Sequence, residues 1–447
     1  MSIKSALKQR YSLQLLVVMA VFAVLGGFLI LSSKAATTSV AAEAEKGVIN
    51  GNAAVVASSG AAGESAVRFA SGSVPVNGTP VFGFRMFGGD DNPARIGTAN
   101  MTKYKVYMLS PYMVQTARAI KQQNPSALTY MYKDPTSTRN TADCVANAIG
   151  RDWGVDYCDT TQNHSNWFMT KNGQRFEYSG YAGHWHVDVG ASGYKERYVS
   201  NVLEDLRKNN VWNGVFMDNI MADITAYAGG SYPDQYRTQD AGRNAYAAFT
   251  QYVGTQLSAA GFGSMGNNNG ARLTQGLWAK YTAGTSGAYD EFWTTFGDSN
   301  LPAYDGIGWD AQMTELDLMS QQGKLGVFTA QTNGGSCKAC QRYGYASYLL
   351  GADGRQVYVE GNVDGDVGNW ISYSPMYSWN LGAPTAARSQ PETNLFQRSF
   401  VKGLVLVNAD ANMTRKITLP QAYLDESGAS ITTVTLGPTS GVVLRLP

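Results

Sequence analysis

The sequence predicts an α/β protein with a (β/α)8 barrel of the TIM type, followed by a small antiparallel β domain and preceded by an apolar N-terminal segment. From residue 81 to about residue 362, short apolar runs alternate with helical stretches, which predicts a parallel sheet. The chain of 447 residues is long enough for a large barrel with appendages. The predicted segments are 1–36, 37–80, 81–395 and 396–447.

The first segment has the pattern of a targeting sequence. Lys4, Lys8 and Arg10 precede an apolar run over residues 15–31, and the small residues of Ser33-Lys34-Ala35 have the spacing of a cleavage site. A positive flank followed by such a run is typical of an export signal or an N-terminal membrane anchor. Both alternatives predict an extracellular or cell-surface protein, secreted or anchored by a transmembrane segment.

Residues 37–80 are rich in Ala, Gly and Ser, which is typical of a linker. Within them, the stretches 42–45 and 63–69 resemble the opening strands of a β-sandwich carbohydrate-binding module. The segment is too short for a whole sandwich. It predicts either a truncated strand pair or a stalk.

Nine apolar runs in the third segment are candidates for eight barrel strands. The candidate strands are Phe82–Met86, Lys105–Leu109, Leu128–Tyr132, Trp185–Val189, Gly214–Asp218, Gly263–Asn267, Ala288–Glu291, Gly326–Ala330 and Gln356–Glu360. The helical candidates are Met113–Gln123, Tyr194–Lys208, Ala241–Ala259, Asp310–Gln322 and Tyr343–Leu350. A doubly wound sheet is the second choice, because it would need a glycine-rich phosphate turn that Gly83 and Gly88–Gly89 do not form.

The hydrophobic pattern of the sequence changes in the last segment, 396–447. Apolar runs follow one another without helices, and Gly, Pro, Asn and Asp stand in the gaps, which predicts an antiparallel sheet. The runs are Gly403–Asn408, Lys416–Leu419, Ile431–Leu436 and Val442–Leu446. We expect this sheet to cover a flank of the barrel.

The four cysteines predict two local disulfides, Cys144 with Cys158 and Cys337 with Cys340. The first bridge would stabilise the fold by about 3 kcal/mol through loop entropy. The second pair is also compatible with half a zinc site or a redox motif. A structural bridge is favoured, because a second ligand pair at matching spacing and a thioredoxin-like context are both missing from the sequence.

The composition favours carbohydrate over nucleic acid as a partner. The net charge is +1, and no basic cluster with interleaved aromatic residues is present. The chain has 26 Tyr and 9 Trp residues. Their rings combine an apolar face with a polar tip, which suits stacking on sugars.

Asp218 is the leading catalytic candidate. It follows the buried apolar run Gly214–Met217, and catalytic residues in a TIM barrel lie where strands end. The alternative is an Asp that caps the next helix or turn. Similar polar and aromatic residues end several other runs, which predicts a sugar pocket, although each alone could be a loop anchor. The predicted substrate-binding residues are Tyr132, Lys133, Trp185, His186, Asp188, Asn219, Asn267, Trp293, Gln331 and Glu360.

Glycoside hydrolysis requires two carboxyl groups across one bond. Glu291 is the predicted partner of Asp218. It is preferred to Asp290, because neighbouring residues of a strand point to opposite faces and Tyr289 would share the face of Glu291. Asp188 is expected to orient a sugar hydroxyl or to tune the pKa of Asp218.

A metal-dependent hydrolase is an alternative. His184, His186 and Asp188 share one strand face, and Asp218 could be a further ligand of zinc or iron. The leading prediction includes no metal and no cofactor. The sequence has no Gly-x-Ser-x-Gly elbow and no Walker-type phosphate loop.

Four motifs resemble TIM-barrel glycoside hydrolases of hypothetical glycosyl hydrolase family 15, a group related to the α-galactosidase-like superfamily and to the endo-α-polygalactosaminidases. The motifs are Gly214-Val-Phe-Met-Asp218-Asn219, Tyr289-Asp-Glu291-Phe-Trp293, Trp185-x-x-Asp188 and Arg398-x-Phe400-x-x-Gly403-Leu-Val-Leu-Val-Asn408. The resemblance covers residues 81–447. It implies that Asp218 is the nucleophile and Glu291 the acid/base.

In that superfamily the nucleophile follows the fourth strand, whereas our candidates make Gly214–Asp218 the fifth. The resemblance supports an exported glycoside hydrolase that cleaves an α-linked polysaccharide or oligosaccharide. A catalytically inactive glycan-binding barrel is the remaining alternative. The expected partners are a carbohydrate substrate and, if the N-terminal segment is uncleaved, a membrane.

Overall fold

The computed structural model describes residues 53–57, 65–69, 80–141, 143–295, 301–332, 336–361 and 374–447. The chain divides into two units, Met1–Pro75 and Val76–Pro447.

In the first unit, Ala53–Ala57 and Ser65–Phe69 form an antiparallel strand pair. The second of these strands overlaps the predicted strand at 63–69, whereas the predicted strand at 42–45 lies outside the described residues. The predicted targeting segment, 1–36, lies outside them as well. Within the part of the chain that the structure describes, no helix has both the length and the apolar character needed to cross a membrane.

The second unit is built on eight parallel strands. They are β1 (Gly83–Met86), β2 (Val106–Leu109), β3 (Leu128–Lys133), β4 (Gly214–Met217), β5 (Gly263–Asn267), β6 (Gly287–Asp290), β7 (Leu325–Gln331) and β8 (Val357–Gly361). They are paired in chain order, and a parallel bridge between Phe82 and Tyr358 brings β8 next to β1. The strands therefore form a nearly closed TIM-type barrel, as the sequence predicts.

Side chains from alternate strand positions fill the barrel. Val106, Met108, Phe216, Met265 and Val357 belong to one buried cluster inside the barrel. Because these positions are apolar and fully buried, the barrel interior is a packed core. Accessible polar side chains are expected mainly at the ends of the strands.

One predicted strand is wrong. Trp185–Val189 does not belong to the barrel, because His184–His186 pairs in antiparallel fashion with Ser137–Arg139 instead. β4 pairs directly with β3, which makes Gly214–Met217 the fourth barrel strand. The physical reason lies in the composition of the segment. A parallel barrel strand is buried on both faces and needs a nearly continuous apolar run, which the segment around His184 and His186 lacks.

Eight helices occur in the described part of the second unit. They are α1 (Thr98–Met101), α2 (Val114–Gln123), α3 (Tyr157–Asn163), α4 (Tyr194–Asn209), α5 (Gln239–Ala259), α6 (Leu277–Thr282), α7 (Trp309–Gln321) and α8 (Lys338–Gly351). All five predicted helices are present. The other three, α1, α3 and α6, have only four to seven residues, too few for a recognisable helical period.

The longer helices follow helical periodicity. In α4, Tyr194, Tyr198, Val202 and Leu206 lie on one face and are buried. In α5, the side chain of Thr238 caps the first turn by accepting a hydrogen bond from the amide of Ala241.

A long excursion, residues 134–193, separates β3 from α4. It carries α3 and two short strand pairs. Cys144 and Cys158 are joined within it, with their Cα atoms 5.9 Å apart, and Cys337 and Cys340 are joined at the start of α8, with their Cα atoms 5.2 Å apart. The pairing in the structure is the one expected from sequence.

The C-terminal region is a six-stranded antiparallel sheet. Its strands are β9 (Ser389–Glu392), β10 (Leu395–Phe400), β11 (Gly403–Asn408), β12 (Arg415–Leu424), β13 (Ser430–Leu436) and β14 (Ser440–Arg445), in the spatial order β9-β10-β11-β14-β12-β13. The sheet begins seven residues before the predicted boundary at 396.

This sheet packs against α8 on the outside of the barrel. Gly441 of β14 lies so close to α8 that a Cβ atom there would be 2.9 Å from the Cβ of Ala346. Arg388 forms a two-pronged ion pair with Asp317 of α7, with contacts of 2.7 and 2.6 Å. The sheet therefore covers a flank of the barrel, as expected.

Candidate active site

The two predicted catalytic carboxylates converge at the end of the barrel where the strands finish. Asp218 follows β4 and Glu291 follows β6, while Asn267 ends β5 between them. The Asn267 Nδ2 donates a hydrogen bond of 2.8 Å to Asp218 Oδ1 and one of 2.9 Å to Glu291 Oε2. Because both oxygens contact the same nitrogen, the sum of the two distances limits their separation to 5.7 Å.

The backbone of β4 and β5 brings this group together. A Cβ atom at Gly214 would lie 2.2 Å from the carbonyl oxygen of Gly263, so only glycine permits this approach of the two strands. Asn219, directly after Asp218, has a φ of 55°, a left-handed conformation that Asn tolerates better than most residues. Its amide donates a 2.9 Å hydrogen bond to Asp218 Oδ1, which fixes the carboxylate.

Asp218 lies in an environment that favours its protonated form. Burial, the negative charge of Glu291 and that of Asp134 raise its pKa from 3.8 to about 7. Hydrogen bonds from Tyr132, whose hydroxyl is 2.6 Å from Asp218 Oδ2, and from Asn267 act in the opposite direction. The carboxyl group of Asp218 therefore keeps its proton up to near neutral pH.

Arg85 on β1 supports Glu291 from across the barrel. Its Nη1 donates a 2.9 Å hydrogen bond to Glu291 Oε1 and a 3.0 Å hydrogen bond to the hydroxyl of Tyr289. The guanidinium stabilises the ionised form of Glu291. Arg85 is not among the predicted site residues, although an Arg within the apolar run Gly83–Met86 is a signal for such a role.

The carboxylate pair lines a polar cavity of about 570 Å³. Its lining residues include Arg85, Phe87, Tyr132, Asp134, Arg139, Asp152, Tyr178, Tyr181, His184, Phe216, Asp218, Asn219, Tyr227, Asn267, Glu291 and Phe292. We call it the larger cavity. Its charged residues and accessible aromatic rings suit a polyhydroxylated ligand.

Six lining residues of the larger cavity come from the excursion between β3 and α4. They are Asp134, Arg139, Asp152, Tyr178, Tyr181 and His184. Their positions follow from how the excursion folds back over the barrel, and no periodic pattern in the sequence marks them.

A second cavity of about 270 Å³ adjoins the first. Asn219, Tyr227, Asn267, Asn269 and Glu291 line both. The remaining lining residues of this smaller cavity are Ile220, Met221, Ala222, Asp223, Ala226, Arg243, Gly270, Leu273 and Thr274. Glu291 therefore faces both spaces, whereas Asp218 lines only the larger cavity.

Three of the ten predicted substrate-binding residues, Tyr132, Asn219 and Asn267, line the larger cavity. The other seven do not belong to the linings of either cavity. They are Lys133, Trp185, His186, Asp188, Trp293, Gln331 and Glu360.

Lys133 points to the outside of the barrel, opposite to Tyr132. Its ammonium group is 1% exposed and contacts Asp205 at 2.7 Å. It also donates to the carbonyl oxygens of Ala148 and Arg151, at 3.0 and 2.7 Å. Lys133 therefore ties the excursion to α4 instead of reaching the substrate.

The three residues of the predicted metal group lie in different surroundings. The ring of His186 is buried against Tyr178, and burial lowers its pKa to about 3. Asp188 accepts hydrogen bonds from the hydroxyl of Tyr236 and from the amide of Gly190. His184 lines the larger cavity.

Among the residues that the structure describes, only Cys144, Asp156 and Cys158 bring three possible ligand atoms together, and the two sulfurs there form a disulfide. His184, His186 and Asp188 therefore do not form a metal site.

Trp293 and Glu360 are buried and form hydrogen bonds within the protein. Trp293 is fully buried, and its indole nitrogen donates a 3.0 Å hydrogen bond to the carbonyl of Gln312. Glu360 is 6% exposed and accepts hydrogen bonds from the hydroxyl of Tyr377 and from Gln341. Both residues stabilise the wall of the barrel behind the site.

We expect Glu360→Gln to change how stability depends on pH. Burial raises the pKa of Glu360 from 4.5 to about 7. The protonated carboxyl of Glu360 therefore stabilises the fold below pH 4.5. This contribution to the free energy of unfolding, up to about 3 kcal/mol, is lost as the pH rises through 7. The melting temperature of the wild-type protein should fall relative to that of the variant between pH 5 and pH 8. A constant difference between the two proteins would contradict this, and the exposed Glu196→Gln is the control.

Comparisons with known proteins show the family of the chain. The family model described as hypothetical glycosyl hydrolase family 15 matches residues 121–404. No curated protein matches the sequence.

Several solved structures are similar to this chain over most of its length. A maltogenic α-amylase, AmyB from Thermotoga neapolitana, has 8% identity and a TM-score of 0.46, over 84% of this chain and 99% of that chain. The GH36 α-galactosidase AgaB from Geobacillus stearothermophilus has 9% identity and a TM-score of 0.44, over 83% of this chain and 55% of that chain. A xylosidase from Aspergillus niger has 9% identity and a TM-score of 0.43, over 83% of this chain and 65% of that chain. The chain thus spans about half the length of the α-galactosidase.

The family model covers well over half of the chain and includes both strand-end carboxylates and the excursion between β3 and α4. The chain therefore belongs to hypothetical glycosyl hydrolase family 15 and is an enzyme of the glycoside hydrolase class.

Proposed function

We propose that the protein hydrolyses a glycosidic bond with retention of configuration, using Asp218 and Glu291. The observation that carries this proposal is the pair of hydrogen bonds from Asn267, which holds the two carboxylates with oxygens at most 5.7 Å apart. In retaining glycosidases the carboxyl groups are roughly 5–5.5 Å apart, whereas inverting enzymes need roughly 6.5–9.5 Å for a water molecule.

The linings of the two cavities support different roles for Asp218 and Glu291. A proton donor must reach the glycosidic oxygen, which lies between the reacting sugar and the leaving group. Glu291 faces both cavities, and Asp218 faces only the larger one. We therefore assign the acid/base role to Glu291 and the nucleophile to Asp218, with the reacting sugar in the larger cavity.

The electrostatics of the free site favour the opposite arrangement. Arg85 forms an ion pair with Glu291, and the pKa of Asp218 is raised to about 7, which favours the proton on Asp218. We give more weight to the cavities, because the proton donor must reach the glycosidic oxygen between the reacting sugar and the leaving group, and Glu291 lines both cavities whereas Asp218 lines one.

The substrate is a polysaccharide or oligosaccharide, with an α-linkage as the resemblance to the α-galactosidase-like superfamily implies. The polar lining of the larger cavity supports a hydroxyl-rich ligand. Two disulfides and the pattern of the first 36 residues favour export to the extracellular space or the cell surface.

A screen of purified full-length protein against a library of α- and β-linked glycans, read by the release of reducing sugar, tests this function. Asp218→Asn is the inactive control. Proton NMR of the first product, recorded before mutarotation, should show the anomer of the substrate. Saturable glycan binding without turnover on every glycan would overturn the proposal, and an inverted first product would overturn retention.

We expect activity to decline above neutral pH. The active pair carries one proton, and the pKa of about 7 at Asp218 marks where the pair loses it. The value of kcat/KM should therefore fall about tenfold per pH unit above that point. Asp134 is one of the charges that raise this pKa, so Asp134→Asn should move the decline to lower pH. A flat profile up to pH 9 would contradict this expectation.

A further inference from the structure

The smaller cavity differs in character from the larger one. Charged residues line the larger cavity, whereas Ile220, Met221, Ala222 and Leu273 form much of the wall of the smaller. Leu273 is 55% exposed, although it is a large aliphatic residue. An accessible apolar surface beside a few polar groups is typical of a ligand site.

The position of this cavity determines what could enter it. It shares Glu291 and Asn267 with the larger cavity, but not Asp218 or Arg85. A group in it would lie beside the proposed proton donor and away from the proposed nucleophile. That is the place of the leaving group in a retaining mechanism.

The volume limits the size of the occupant. About 270 Å³ lies just below the range of roughly 300–1,000 Å³ that drug-sized ligands occupy. One ring with a small substituent fits such a space.

Several polar side chains also line the smaller cavity, and two of them besides Glu291 are charged, Asp223 and Arg243. The Nε of Arg243 donates a 2.7 Å hydrogen bond to the carbonyl of Ala222. Most of the accessible surface of the smaller cavity is nevertheless apolar.

We propose that the smaller cavity binds the leaving group and selects one with an apolar substituent, either the acetamido methyl of an N-acetylated sugar or the aryl ring of an aglycone. This inference rests on the proposed function, because it takes Glu291 as the proton donor. It names the chemistry of the group that departs from the reacting sugar. Apolar contact with Leu273 and Met221 supplies the selectivity.

Ligand-observed NMR with free leaving-group analogues tests this without any turnover. N-acetylgalactosamine is compared with galactose, N-acetylglucosamine with glucose, and benzyl alcohol with glycerol, each on the wild-type full-length protein. We expect the substituted member of at least one pair to bind about fivefold more tightly. Leu273→Ser should remove most of that preference, whereas Met413→Ser, an equally exposed apolar residue of the C-terminal sheet region, should leave it unchanged.

The outcomes separate the two sources of the apolar substituent. A preference confined to the acetamido sugars identifies a sugar, and one confined to benzyl alcohol identifies an aglycone. Equal binding within every pair, or a preference that survives Leu273→Ser, overturns the inference. If the preference is present and no glycan is hydrolysed, the proposed function fails while the apolar pocket stands. If hydrolysis is present without a preference, only this inference fails.

Discussion

Asp218→Asn and Glu291→Gln should each lower kcat by roughly 10³-fold or more on a natural glycan, because each removes one of the two carboxyl groups that act on the scissile bond. Both variants keep the shape of the side chain and can still accept a hydrogen bond from Asn267. Folding should therefore be preserved, which circular dichroism and melting temperature would verify. Asp240→Asn, an exposed carboxylate on α5, is the matched control and should keep full activity.

The same two positions also separate the roles of the carboxylates. An aryl glycoside has a leaving group that needs no protonation, so loss of the acid/base should harm its cleavage far less than loss of the nucleophile. We expect Glu291→Gln to retain much of the aryl glycoside activity and Asp218→Asn to retain almost none. The reverse pattern would show that the proton donor is Asp218, as the pKa of the free site suggests.

Added azide gives an independent readout with the alanine variants. With Glu291→Ala, azide should attack the glycosyl-enzyme intermediate and give a product of retained configuration. With Asp218→Ala, azide should attack the substrate directly and give an inverted product. The same product from both variants would contradict the proposed assignment.

Asn267→Ala should lower kcat by on the order of 10²-fold. Its single amide nitrogen donates to both carboxyl groups, so the substitution removes both hydrogen bonds and leaves the two groups without the amide that spaces them. Asn412→Ala is the control, because Asn412 is exposed in the C-terminal sheet region and lines neither cavity. Activity within threefold of the wild type would show that the carboxylates hold their positions without this amide.

A pH profile distinguishes positioning by Asn267 from general loss of structure. The hydrogen bond from Asn267 lowers the pKa of Asp218, so its removal should raise that pKa further above 7. The decline of kcat/KM at high pH should therefore move to higher pH in Asn267→Ala. A variant that loses activity with an unchanged profile would have lost structure instead of this contact.

Much of the fold could be predicted from sequence because it depends on local periodicity. Eight of the nine candidate strands are barrel strands, and α4 and α5 have the expected buried faces. The exception, Trp185–Val189, is too polar for a strand buried on both faces. Without this segment, Gly214–Met217 is the fourth barrel strand. The resemblance also places the nucleophile after the fourth strand.

The candidate site could be predicted only in part. Asp218, Glu291 and Asn267 each follow a recognisable apolar run, so their meeting at one end of the barrel is a consequence of parallel strands. Arg85, Asp152 and His184 could not be predicted in this way. Arg85 lies within a strand, and the other two lie in an excursion whose fold depends on distant contacts such as those of Lys133.

Tyr132 and Lys133 show what the sequence determines and what only the tertiary structure determines. The sequence by itself determines that these neighbours point to opposite faces of β3, because side chains alternate along a strand. It does not determine which face is the interior, and a shift of one residue would exchange them. Closure of the barrel decides this: Tyr132 reaches Asp218, and Lys133 is buried against Asp205. The same closure, and not the sequence pattern, brings the carboxylates of β4 and β6 to the two sides of one amide.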